Sequence, residues 1–289
     1  MEYNLIIGAA TGYNYNQLKP WVESIGKVCD EYTDKVLFVG NMSEETRTKL
    51  IEQNFLLIEM PNVPGVPVHV ARFLAIYDYL RDSHRQYKYV VTTDVKDVYF
   101  QTNPFNWIDK VIFPGSMCRL VVGSESMLYK DEPWGNENLL QAYGPYVHST
   151  FKENKIYNVG VIGGHSEYVK DLVFNIFTNA INRPIPIVDQ AVFNVLIQTK
   201  PYKDVIYFAE QSDGWACQAG TTADPSKIEQ FRPFLTEAEP IFENGAVLTS
   251  KRKPFCIVHQ YDRVPEWKKF IQAKYKQEDP NNFFTYRTT

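Results

Sequence analysis

Across the first hundred residues, short apolar runs alternate with stretches of helical spacing, and few folds accommodate that pattern. Leu5-Ile6-Ile7-Gly8-Ala9-Ala10 reads as a buried strand that ends in small residues. Leu18, Trp21, Val22 and Ile25 then recur at helical intervals. Lys35 to Gly40, KVLFVG, is the next strand. Ser43 suits an N-cap, with Glu44 and Glu45 in the first turn where the helix dipole favours them. That helix runs to about Gln53, and Leu56 to Met60 forms a third strand closed by Pro61. After a loop at Pro64-Gly65-Val66-Pro67, the residues Val70, Phe73, Leu74, Tyr77 and Leu80 keep helical spacing, with Arg72 off the apolar stripe. Strands alternating with helices of this length imply βαβ units and a mostly parallel sheet.

The next strand delivers charge. Tyr89-Val90-Val91 and Thr92-Thr93 lead to Asp94, and Asp97 follows three residues later. In open α/β sheets, ligands bind in the crevice beyond the carboxyl ends of the strands. Carboxylates placed there can hold a hard divalent cation, and the cation can hold a diphosphate. Alternatively, Asp94 only bonds nearby backbone in a turn. Residues i and i+2 of a strand share a face but i and i+3 do not, so Asp94 and Asp97 converge only if the chain turns at Val95-Lys96.

The second half is less regular. Leu120 to Gly123 is a strand, and residues 124 to 156 read as irregular, loop-rich surface because Trp134, Gly135, Gly144 and several tyrosines interrupt any period. Tyr157 to Gly164, YNVGVIGG, is a strand ending in paired glycines. Helices are expected from Ser166 to about Asn179 and from Asp189 onward, with strands at Val205 to Phe208 and Phe255 to Val258. The last strand runs into His259-Gln260-Tyr261-Asp262-Arg263.

A chain of 289 residues suffices for one large α/β domain. Residues 1–289 are read as a single domain, with 1–115 the nucleotide half and 116–289 the acceptor half. The net charge of −4, with no basic tract longer than Lys251-Arg252-Lys253, argues against nucleic-acid binding. No run approaches the roughly 20 apolar residues of a membrane span, and MEYNLIIGAATG lacks the features of a signal peptide. Cys29, Cys118, Cys217 and Cys256 are scattered, as suits free thiols in a reducing compartment. A soluble, cytoplasmic protein is the expectation.

Taken in order, the motifs LIIGAATGYNYN, VARFLAIYDYL, TTDVKDVYF, NVGVIGGH, VDQAVFN and FCIVHQYDR resemble those of the GT-A nucleotide-diphospho-sugar glycosyltransferases, from Leu5 to about Asp262. The resemblance implies a Rossmann-like, mixed but mostly parallel central sheet flanked by helices. It implies transfer of a hexose or pentose from a nucleotide-diphosphate sugar, a UDP-sugar above all, to a hydroxyl of a glycan or glycoconjugate. It implies Mn2+ or Mg2+ at Asp94, Asp97 and His259. Here the family's Asp-x-Asp has Lys96 two residues after Asp94, so either Asp97 supplies the second carboxylate, or Asp94 alone touches metal or ribose while Lys96 supplies positive charge or faces solvent; a metal-independent variant stays open.

Further roles follow from the same likeness. Ala9, Thr11, Gly12 and Tyr13 would line the base and ribose, Arg72 and Arg263 would meet acid or phosphate, and Asn158, Gly163 and Gly164 would border the sugar. Asp189 is the candidate base for the acceptor hydroxyl, or else it merely caps its helix. Asp213, beside Trp215 as a sugar platform, is the rival base. Two other readings stay open. One is a nucleotidyltransferase, against which the absence of Lys or Arg before Lys19 counts. The other is a non-catalytic carbohydrate-binding module on the same fold.

Overall fold

The computed structural model describes residues 2–276. The first third alternates as the spacing predicts: β1 (Tyr3–Thr11), α1 (Tyr15–Val28), β2 (Thr33–Gly40), α2 (Glu44–Glu52), β3 (Leu56–Glu59), α3 (Val68–Asp82) and β4 (Tyr87–Thr93). Next come β5 (Val98–Phe100), α4 (Pro104–Ile108), β6 (Leu120–Leu128), α5 (Pro133–Phe151), β7 (Lys155–His165), α6 (Ser166–Ala180), α7 (Asp189–Ile197) and β8 (Ile206–Ala209). The remainder holds β9 (Ala216–Gln218), α8 (Ala219–Thr222), α9 (Ile228–Phe231), the hairpin of β10 (Ile241–Glu243) and β11 (Ala246–Leu248), then β12 (Ile257–His259) and α10 (Pro265–Lys274).

Seven strands form the central sheet in the order β3-β2-β1-β4-β7-β6-β8. All neighbours pair in parallel except β7, which runs antiparallel to both β4 and β6. The expected mixed, mostly parallel sheet flanked by helices is therefore present. Both faces are covered, which is why the strands read as continuous apolar runs. Leu5 and Ile7 on β1 point to the layer of α3, α5, α6 and α7, packing with Phe73, Leu139, Leu172 and Phe193. Ile6 points the other way, into the layer of α1 and α2 with Trp21, Ile25 and Leu50.

One expectation fails. Residues 124–156 are not loop-rich surface, because β6 extends to Leu128 and α5 covers Pro133 to Phe151. Pro133 sits at the first helical position, where a missing N–H costs nothing, and the Glu132 side chain caps the helix by accepting from the Gly135 N–H. Gly144, at φ 76 and ψ 174, kinks the helix instead of ending it, and Pro145 restarts it.

A three-stranded sheet, β5-β12-β9, sits beside the carboxyl ends of the main strands. Its register places His259 opposite both Val98 and Gln218. This small sheet carries the end of the chain back to the acidic turn that follows β4.

Candidate active site

The main strands end at a cleft of about 780 Å3, within the roughly 300–1,000 Å3 of small-molecule sites. Ala9, Thr11 and Tyr13 line it from the end of β1, Arg72 from α3, Asp189 and Gln190 from α7, and Arg263 from the turn after β12. Because β7 runs antiparallel, its early residues Asn158, Val159 and Gly160 reach the same end.

The turn that lets Asp94 and Asp97 converge lies at Val95-Lys96. The Asp94 N–H donates to the Gly160 carbonyl at 2.8 Å, which ends the strand. Val95 then tucks under β1 and is buried, where a Cβ on Gly8 would lie only 2.5 Å from Val95 Cγ1. With Val95 inward, Lys96 is exposed at the apex and Asp97 returns to the Asp94 side. His259 Nε2 lies 3.3 Å from Asp94 Oδ2 and 3.7 Å from Asp97 Oδ1. One ligand atom from each of Asp94, Asp97 and His259 lies within 4.8 Å of the others. A Cβ on Gly160 would come within 2.6 Å of the His259 ring and 2.8 Å of Asp94 Oδ2, so only glycine leaves room there.

Charges in this cluster are balanced within the protein. Burial raises Asp94, but the Arg72 guanidinium, then His259, pull it well below the usual carboxylate range. Burial also raises Asp97, helped by the neighbouring Asp94 and Asp262, and here it prevails over His259. For His259, burial alone would lower the imidazole; Asp97 and Asp94 outweigh it and raise it. His259 Nδ1 lies 2.8 Å from Gln218 Oε1, an oxygen that can only accept, so Nδ1 donates there and the ring is oriented with Nε2 facing the two carboxylates.

These residues fit a hard divalent cation. Two carboxylates and an imidazole nitrogen converge, a carboxamide fixes the tautomer, and the buried Asp262 Oδ1 at the cleft has no hydrogen-bond partner.

Arg72 is not paired with Asp78 or Glu59, which bond Arg81 and Arg47 instead. It donates from Nη1 to Asp94 Oδ1 and places Nη2 3.4 Å from Asp189 Oδ2. Breaking the buried Arg72–Asp189 pair would cost about 3–5 kcal/mol, whereas Asp94, a third exposed to the cleft, contributes less. Asp189 is in the first turn of α7, after Val188, and its carboxylate is spent on Arg72. Burial raises it, with Arg72 opposing.

Four expected residues lie elsewhere. Asp213 accepts from the Glu210 N–H at 2.9 Å, closing a turn away from the cleft. Trp215 is wholly buried, with its ring against Gly163, and offers no platform for a sugar. Gly163 and Gly164 lie in mid-sheet opposite Val91 and Val90, so the glycine at the cleft is Gly160. Gly12 is in the left-handed turn between Thr11 and Tyr13.

Other lining residues carried no recognisable signal in the sequence. Glu125 is buried at the cleft, and its Oε1 accepts from Asn158 Nδ2 at 2.6 Å and from Gln190 Nε2 at 2.7 Å. Burial pushes it up to about 7, with Glu132 adding to the rise and the two amides opposing it. Trp134 is half exposed at the rim of the cleft.

No protein-family model and no curated protein matches the chain. Solved structures do. The galactosyltransferase LgtC, in complex with donor and acceptor sugar analogs, superimposes on 93% of this chain and 95% of its own, with TM-score 0.53 and 12% identity. The bifunctional glycosyltransferase WbbM matches 96% of this chain at TM-score 0.58 and 12% identity; the chain spans half the length of that protein. Mouse xyloside xylosyltransferase 1 matches 90% of this chain and 97% of its own at TM-score 0.50 and 14% identity. At these identities the likeness establishes the fold, which is the GT-A architecture of nucleotide-sugar glycosyltransferases.

Proposed function

We propose that the protein is a glycosyltransferase that moves a monosaccharide from a UDP-sugar to a hydroxyl of a glycan or glycoconjugate. The supporting observation is the convergence of Asp94, Asp97 and His259 at the carboxyl end of the sheet. A divalent cation held by these three, Mn2+ or Mg2+, would neutralise charge on the departing nucleoside diphosphate.

The chain's own residues supply orientation and water exclusion. Arg72 fixes the Asp94 carboxylate and keeps it ionised. Gln218 holds His259 in one tautomer. Tyr13 offers its ring to the base, with Ala9 and Thr11 lining the cleft beside it. Arg263 and the exposed Lys96 bring positive charge to the diphosphate. Asn158 and Asp189 border the transferred sugar. Among the described residues no helix is long and apolar enough to cross a membrane.

Calorimetric titration with UDP, in Mn2+ and in excess chelator, tests this reading. Mn2+ should tighten UDP binding at least tenfold. Absence of UDP binding at millimolar Mn2+ would overturn the proposal.

A further inference from the structure

Between Val122 and Leu128 the pairing of β6 with β7 shifts register twice, around Ser124. Such a bulge re-aims a side chain that a regular strand would send into a packed face. Ser126, inside it, has φ 59, a left-handed conformation that costs a non-glycine residue about 1–3 kcal/mol. The bulge is pinned from within and from outside: the Ser126 N–H donates to Ser124 Oγ at 2.9 Å, and the Thr221 hydroxyl donates to the Glu125 carbonyl at 2.9 Å. The result is that Glu125 lines the cleft.

Its carboxylate is held asymmetrically. Both amide donors, Asn158 Nδ2 and Gln190 Nε2, go to Oε1. Among the described residues none hydrogen-bonds Oε2. Among the described residues no Lys or Arg pairs with Glu125, in contrast to Asp94 and Asp189, which share Arg72. The charged or titratable groups near it are Glu132 at the head of α5, His259 on β12 and the Tyr129 hydroxyl. From α7 and β7 it meets only the neutral Gln190 and Asn158.

We infer that Glu125 Oε2 is the general base that takes the proton of the acceptor hydroxyl. The inference rests on the glycosyl-transfer reading above. In the step, the acceptor O–H bond breaks and its proton passes to Oε2. The oxygen's electron pair forms the bond to the anomeric carbon, and the bond from that carbon to the diphosphate oxygen breaks, its pair leaving with the nucleoside diphosphate. Glu125 returns its proton to water before the next turnover. A carboxylate raised to about 7 by burial, and oriented by neutral donors, suits this work near neutral pH. Asp189 suits it less, because protonating Asp189 would strip Arg72 of a partner.

The test uses the full chain with Mn2+, a panel of UDP-hexoses and UDP-xylose, and p-nitrophenyl glycosides as acceptors. Glu125→Gln preserves an oxygen for both amides, so UDP affinity should stay within about twofold of wild type while turnover falls by on the order of 10²–10⁴-fold. Wild-type turnover should drop tenfold per pH unit below about 7. That acidic limb should vanish in Glu125→Gln and survive, at reduced turnover, in Glu125→Asp. A Glu125→Gln enzyme within threefold of wild type, with the same acidic limb, would overturn the inference and leave the glycosyl-transfer reading standing. Loss of UDP binding by the wild type would instead refute that reading, and the inference with it.

Discussion

In the cleft Asp94 is gripped by a guanidinium and an imidazole and held well below the usual carboxylate range. Glu125, in the same cleft, is gripped by two neutral carboxamides and raised to about 7. Both carboxylates face the same cavity. The difference lies in the partners: cations stabilise the ionised form outright, whereas amides only partly offset burial. A fixed anion suits a cation site, and a group that titrates near neutrality suits proton transfer. One cleft thus separates two carboxylate roles through the residues placed behind each.

Replacing Asp94 by Asn should have the largest effect. It removes a converging anion and leaves Arg72 with Asp189 alone. Turnover should fall by at least about a thousandfold, roughly 4 kcal/mol of barrier. The Mn2+-dependent part of UDP binding should disappear from the calorimetric titration. A variant retaining Mn2+-dependent binding would show that Asp97 and His259 suffice.

The contrast also predicts an opposite stability effect at Glu125. Its pKa in the folded chain, about 7, lies above the ordinary 4.5, so folding holds a proton that the unfolded chain releases between those values. Stability is therefore lost as pH rises from about 4.5 to about 7, up to about 3 kcal/mol by the top of that window. Glu125→Gln should melt higher than wild type at pH 8 and at the same temperature as wild type at pH 4. Equal melting at pH 8 would mean that the two amides cancel the cost of burial.

Gln218 acts on the cluster only through His259. Gln218→Leu leaves Nδ1 without its acceptor and frees the ring to flip or change tautomer. Loss of such a supporting bond costs about 10–100-fold in metal affinity. Gln218 Nε2 already lacks a partner, so the loss of fold stability should be modest by comparison. A Mn2+ titration next to a melting curve separates the two effects.

How much of this was legible in the sequence depended on whether a residue's role was set locally. The strands of the parallel sheet were readable because burial on both faces makes Leu5 to Ala10 and Val36 to Val39 continuous apolar runs. Asp94 was readable because it ends such a run. The turn at Val95-Lys96 joining it to Asp97 was left open, since it depends on Val95 packing against Gly8, about ninety residues away in sequence. Helix α5 was hidden because Pro133, Gly144 and Pro145 signal breaks, and in the fold they mark a start and a kink. Gly160, Gly163 and Gly164 look alike in one strand, yet only Gly160 abuts the cluster, and alternation of faces cannot be assigned without the neighbours. Glu125 gave no signal, because a lone carboxylate in SESML becomes a site residue only through a bulge and two amides from distant elements.

Asp213 supplies the smallest predicted effect and a check on the comparison itself. It was the rival base in the sequence, and it stands in a turn whose side chain serves the Glu210 N–H. Asp213→Asn keeps an oxygen for that N–H, so the turn and the contact of Trp107 Nε1 with the Asp213 carbonyl, at 3.2 Å, should persist. Turnover should stay within about twofold of wild type, since Asp213 lies outside the cleft and its turn is kept. If Asp213→Asn instead matched Glu125→Gln in turnover and in its lost acidic limb, proton transfer would have to reach beyond the cleft, and the division of labour between its two carboxylates would be wrong.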